Sequence, residues 1–87
     1  MRLDKFLFFV RLTKTRGLAQ AIVAQGHVRI DGAPVLRSHQ DVSAGQVLTL
    51  PLHDQVRVIR IVALPTRRGP AAEAQACYSD LTAVRPD

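Results

Sequence analysis

TRGLAQAIVAQGHVRIDG, residues Thr15 to Gly32, reads as a capped helix, a glycine stop, a short strand and a tight turn. The Thr15 hydroxyl can accept a free backbone N–H at the helix start. Leu18, Ala21, Ile22 and Gln25 fall at helical spacing, with Ala19 and Val23 beside them, which predicts one apolar face. Gly26 stands where a helix ends on a left-handed residue. His27 to Ile30 alternates like a strand, and Asp31-Gly32 signals a two-residue hairpin turn. Arg16 in the first helical turn and Arg29 on the strand are expected to face solvent.

Working outward, Leu3, Phe6, Leu7 and Val10 recur at i, i+3, i+4 and i+7, the pattern of a preceding helix. Asp4 near its start and Arg11 near its end suit the helix dipole. Phe8 and Phe9 widen its apolar face and are expected in the core. After the hairpin, Ala33 to Leu36 is the return strand, and Pro34 places it at an edge. Arg37 to Asp41 is polar loop, Ala44-Gly45 a turn, Gln46 to Leu50 a strand and His53-Asp54 a second turn. Gln55 to Leu64 is the longest β-branched run and is expected to be the central strand. Arg60 falls in phase with Val56, Val58 and Val62, which predicts a bulge or a strand end there. Pro65 to Pro70 is a linker, and Ala71 to Leu81 predicts one short helix anchored by Tyr78 and Leu81. Thr82 to Asp87 is expected to fray.

The 87 residues suit a single domain, read as 1–64 followed by a linker and short helix over 65–87. The fold class is α+β: two N-terminal helices packed on a small, mostly antiparallel sheet, with a short C-terminal helix. The net charge of +5 is unevenly placed. Residues 1–37 hold seven cations against two acids, and residues 38–87 hold five against five. A basic patch concentrated in this way is the footprint of a polyanion partner.

Several function classes fall away. His27, His39 and His53 have no zinc-ligand spacing, and Cys77 is the only cysteine, so no metal and no cofactor is expected. Asp31, Asp41 and Asp54 lie in predicted turns, where Asp serves the backbone. Cys77 is expected as a buried thiol, and no catalytic residue is assigned. The apolar run Phe6 to Val10 is shorter than the roughly 7 residues a leader needs or the roughly 20 of a membrane span. No membrane partner is expected, and the single cysteine fits a reducing cytoplasm.

Arg2-Leu3-Asp4-Lys5-Phe6-Leu7, Lys14-Thr15-Arg16, Ala19, Gly26 to Gly32 and Ala44-Gly45 together resemble the ribosomal-protein-S4-type RNA-binding domain. The resemblance covers about residues 1–50. The tail, with Arg67-Arg68-Gly69-Pro70, Glu73-Ala74-Gln75 and Tyr78, is similar to that of the bacterial heat-shock protein 15 family. Asp31 departs from the Asn common in the family, and Gln46 from an Asp. The resemblance implies RNA on the start of the second helix and the adjoining hairpin. Carried onto this sequence, that surface is Lys14, Thr15, Arg16, Arg29 and Arg37, with Arg2, Lys5 and Arg11 nearby. It also implies the large ribosomal subunit as partner, with tRNA a further one, in rescue of subunits that carry a nascent chain. The free protein is expected to be a monomer. Two rival readings are a helix-turn-helix DNA regulator and an adaptor whose Ala71–Leu81 helix docks on a protein.

Overall fold

The computed structural model describes residues 1–82. It contains α1 (Leu3–Phe9), α2 (Arg16–Ala24), β1 (Arg29–Ile30), β2 (Ala33–Pro34), β3 (Val47–Leu52), β4 (Gln55–Ile61), α3 (Ala71–Ala76) and β5 (Tyr78–Asp80). The strands form one antiparallel sheet in the order β2-β1-β3-β4-β5. This is the α+β class expected, with one strand more.

One core joins the layers. It takes Leu3, Phe6, Leu7 and Val10 from α1, Ala19 and Val23 from α2, and Leu48, Leu50, Leu52, Ile59 and Ile61 from β3 and β4. Phe6 has no exposed surface, so its truncation to Ala costs about 3–5 kcal/mol. On α2 the buried stripe runs through Ala19 and Val23, while Leu18 stays 48% exposed. The expected face was centred on the wrong residues: 3.6-residue spacing permits either stripe, and packing buries the one that carries Ala19 and Val23.

The two helix ends share a device. Beyond α1, Leu12 N–H donates to the Leu7 carbonyl at 3.0 Å and Arg11 N–H to that of Phe8 at 3.1 Å. These are the two bonds of a Schellman stop, with the left-handed position held by Arg11 at φ 63°. Beyond α2, Gly26 takes the same position at φ 81°.

Both hairpin turns have two residues with positive φ, the twist that matches paired strands. In Asp31-Gly32 the values are 50° and 84°, and in His53-Asp54 they are 52° and 64°. The β1–β2 turn is further tied to β3. Asp31 N–H donates to the Val47 carbonyl at 2.8 Å, and its Oδ1 accepts the Val47 N–H at 2.9 Å. The charge by which Asp31 departs from the usual Asn is thus engaged on backbone.

The C-terminal part departs from expectation. The central strand is β3, and β4 lies between it and β5. No bulge forms: β3 and β4 pair in unbroken register from Val47↔Arg60 to Leu52↔Gln55. Ile59 and Ile61 face the core, so Val56, Val58, Arg60 and Val62 share the outer face, where an arginine conflicts with nothing. The return strand is cut to Ala33–Pro34, with Val35 buried and Leu36 81% exposed. The tail is not one helix to Leu81. It stops at Ala76, and Tyr78–Asp80 pairs with β4, because a sheet edge supplies ladder partners that a helix continuing through Tyr78 and Ser79 would forgo. Tyr78 does pack on the core, Leu81 N–H donates to the Val58 carbonyl at 2.8 Å, and Thr82 Oγ1 accepts from Val58 N–H at 2.7 Å. Of the stretch expected to fray, Thr82 is therefore held, and 83–87 lie outside the described residues. Cys77 is only half-buried, because the helix ends just before it. Phe8 and Phe9 are half-buried as well, their rings 6.2 Å apart and covered by Arg68 and Lys5 rather than by the core.

Candidate nucleic-acid interface

Asp4 organises the N-terminal cations. Its carboxylate is fully buried. The Arg2 guanidinium binds it twice, Nε to Oδ1 at 3.1 Å and Nη2 to Oδ2 at 2.9 Å. Gln20 of α2 donates Nε2 to Oδ2 at 3.0 Å, and the Lys5 amide donates to Oδ1 at 2.7 Å. Arg16 Nη2 stands 3.6 Å from Oδ1. Burial pushes this carboxyl up, but the hydrogen bonds from Gln20, Arg2 and the Lys5 amide outweigh burial and hold it below the usual carboxylate range. One charge therefore orients two guanidiniums whose side chains remain 46% and 42% exposed. Each guanidinium has five N–H donors, so both keep donors for an anion.

The chain's own start fixes this cluster. Leu3 and Asp4 amides donate to the carbonyls of Gln40 and Ser38 at 2.8 and 3.0 Å, and Val42 N–H donates to the Met1 carbonyl at 2.8 Å. Arg37, exposed, leads directly into this strap. Thr15 is the cap predicted from sequence: its Oγ1 accepts the Leu18 N–H at 3.0 Å. Its hydroxyl oxygen thus has a structural duty. Lys14 is exposed on the loop before it and makes no ion pair among the described residues.

The other assigned cations sit differently. Lys5 is exposed with its Nζ 5.3 Å from the Phe9 ring centre, and Arg2, Lys5 and Phe9 line one shallow groove of about 550 Å³. Arg11 donates Nε to the Gly69 carbonyl at 2.6 Å. Arg29 donates Nη1 to the Gly32 carbonyl at 3.2 Å across its own hairpin, with no bond to the Asp4 cluster. The structure thus brings together Arg2, Arg16 and Asp4, adds Lys5, Lys14 and Arg37 from adjoining segments, and leaves Arg11 and Arg29 on local contacts.

The sequence offers Asp4 as a helix-dipole charge and as a partner for Arg2 or Lys5, and the structure bears out Arg2; its links to Arg16 and Gln20 were missed. A signal existed: Asp4 stands three residues before Leu7, at the edge of the apolar stripe, where a carboxylate must find donors. A base-reading role for α2 has few side chains to use, since Gln20 is held by Asp4, Ala24 cannot hydrogen-bond and only Gln25, at the C-terminal end of the helix, is left. Among the described residues no helix is long and apolar enough to cross a membrane, and no group of His, Cys, Asp or Glu is arranged to hold a metal ion.

Known proteins share the sequence pattern and the fold of this chain. The S4 domain pattern matches residues 1–48. A heat shock protein 15 homolog of Haemophilus influenzae is 35% identical over 80 residues, covering 92% of this chain and 60% of that protein. The RQC P-site tRNA stabilizing factor of Bacillus subtilis is 36% identical over 61 residues, 70% of each chain. The trimeric structure of Vibrio cholerae heat shock protein 15 superposes with a TM-score of 0.86 at 33% identity, covering 94% of this chain and 82% of that one. The chain spans about 60% of the length of the curated heat shock protein 15 relatives it matches. With the pattern, the fold and the N-terminal residues in agreement, the chain belongs to the S4 domain family, among its heat shock protein 15-like members.

Proposed function

We propose that this chain is a non-enzymatic, cytoplasmic RNA-binding protein that recognises structured RNA, and that its target is ribosomal RNA of the large subunit. In this reading it acts in rescue of subunits that still carry a nascent chain, with tRNA as a further contact. The observation that carries the reading is the Asp4 cluster, in which a buried carboxylate holds Arg2 and Arg16 half-exposed and oriented. Fixed guanidiniums lose little freedom on meeting phosphates and can bind them bidentately. Lys14, Lys5 and Arg37 add charge around them. Recognition is by shape and phosphate position. The ribosomal part draws on the relatives, one of which carries P-site tRNA in its name.

Sedimentation with cell extract through sucrose gradients, at low and moderate salt, tests the reading. The expected result is comigration with free large subunits, lost in an Arg16→Glu variant. Protein that stays at the top at low salt would remove the ribosomal target. With about five phosphate contacts, the slope of log K against log salt is about −3.5 to −4.5. The free protein is expected to sediment as a monomer; a trimer, as in the Vibrio cholerae relative, would overturn that.

A further inference from the structure

A second feature adjoins the cationic face. Leu18 and Ile22, one helical turn apart on α2, form the wall of a groove of about 500 Å³. Leu12 of the α1–α2 link and Leu52 at the end of β3 also line it, together with Thr13. Arg11, Lys14 and His53 line it as well, and among the described residues no carboxylate does. Leu12 and Leu52 are nearly buried, but Leu18 is 48% exposed. Apolar surface is thus left open between basic groups, at the size of a small-ligand site.

The backbone adds a second observation. Arg11 and His53 hold positive φ, 63° and 52°. Glycine adopts such angles freely, whereas other residues are strained by about 1–2 kcal/mol. Here neither position is a glycine, and both residues line the same groove. Of the four non-glycine residues with positive φ among the described residues, these two line it.

We infer that this groove receives one unpaired, unstacked nucleotide of the RNA, its base against Leu18 and Ile22 and its phosphate on Lys14, with the charge of Arg11, whose Nε is held by the Gly69 carbonyl, beside it. The inference rests on the RNA-binding reading and deepens it: the preferred RNA is a stem interrupted by a bulge. A base offers flat apolar faces and polar edges, and its backbone is anionic. Both halves match a groove with an aliphatic wall and a cationic rim. Lys14 supplies continuity, because it is followed directly by the Thr15 cap and Arg16. A strand crossing Arg16 therefore reaches the rim without leaving the protein. Splayed bases in loops and bulges are the usual currency of specific RNA recognition.

Fluorescence anisotropy with two labelled hairpin RNAs of equal length tests this. One has a fully paired stem, and the other a single unpaired adenosine in the stem. The full chain is expected to bind the bulged RNA about tenfold more tightly, the scale of burying one base face against the aliphatic wall. Leu18→Gln, which changes only an exposed side chain, should bring that ratio below about twofold. Arg16→Glu should weaken both RNAs and keep the ratio. Equal affinity of the parent chain for the two hairpins overturns the groove and leaves RNA binding standing. Failure to bind either hairpin at low salt sinks both readings. NMR supplies a second measurement: methyl signals of Leu18, Ile22 and Leu52 should shift with the bulged RNA and not with the paired one. If a synthetic acidic peptide of alternating Glu and Leu moves those signals and the bulged RNA does not, the groove is a protein site and the inference is wrong.

Discussion

The arginines at the two ends of this chain are held in opposite ways. Near the N-terminus one buried carboxylate, Asp4, serves both Arg2 and Arg16, so cationic charge is left over. Toward the C-terminus Arg57, Arg67 and Arg68 each have a partner of their own. Arg57 pairs with Asp80 at 2.6 Å, Arg67 with both oxygens of Glu73 at 3.0 Å, and Arg68 lies 4.7 Å from the Phe8 ring centre while donating to the Phe8 carbonyl at 3.1 Å. The first arrangement orients donors for an outside anion. The second fastens the tail and neutralises Arg57 and Arg67.

The largest effect is expected where the shared carboxylate is removed. Every polar contact to Asp4 is a donor, and each oxygen receives at least two. In Asp4→Asn the new amide must face donors whichever way it turns. A loss of about 2–3 kcal/mol in denaturant unfolding is expected. Asp80→Asn should cost less than about 1 kcal/mol, since that side chain is 40% exposed. The pH dependence follows the same contrast. Both carboxyls lie below their ordinary value of 3.8; Asp80 is held there by the Thr82 amide and hydroxyl and by Arg57, against the opposing effect of burial. A depressed carboxyl contributes stability that is fully present above its unfolded value and lost as pH falls through the folded one. Unfolding measured from pH 7 to 2 should show stability lost below 3.8, with the steeper part absent in Asp4→Asn. Equal slopes in the two variants would erase the distinction between the two carboxylates.

On affinity, Arg16→Gln should weaken RNA binding about tenfold, the worth of one charge-assisted contact. Arg67→Gln should change it less than about twofold, because its guanidinium is already on Glu73. Equal losses, read by anisotropy at one salt concentration, would mean that pairing does not decide which arginines bind. Arg68→Ala sharpens the point from the other side. It should cost about 1–2 kcal/mol of stability through the Phe8 carbonyl and ring and leave the affinity of the folded protein unchanged.

What could be read in the sequence divides along the same line. Thr15, Gly26 and Asp31-Gly32 carry their conformations in their own chemistry, and the cap, the stop and the hairpin stand where they were read. The cationic bias of residues 1–37 was equally legible, being a matter of counting. Pairing was legible only between neighbours such as Arg2 and Asp4. Asp4 meets Arg16 and Gln20 across the α1–α2 contact, a distance in sequence that no periodicity encodes. Tyr78–Asp80 became a strand because β4 offered an edge, and local propensity cannot register a distant partner. Leu18 and Val23 both satisfied a helical period, so the buried stripe depended on packing volume rather than on pattern. Arg60 signalled a fault only while the valines in phase with it were taken as core.

The two hairpin turns give the smallest of these effects and the finest form of the comparison. Asp31-Gly32 uses glycine at its second position and ties its Asp to Val47. His53-Asp54 holds two non-glycine residues at positive φ. Asp54→Gly should therefore stabilise the fold by about 0.5–1 kcal/mol, since a glycine adopts that conformation without steric cost. His53→Gly relieves the same backbone by a similar amount, yet His53 lines the groove beside Leu18 and Asp54 does not. Thermal unfolding should then rank both variants above the parent, while the bulge preference falls in His53→Gly and persists in Asp54→Gly. A gain in stability with both preferences intact would show that His53 is strained for no ligand. A loss of preference in His53→Gly alone would tie that strain to the groove, because the two variants differ in the side chain removed and hardly at all in the backbone relief.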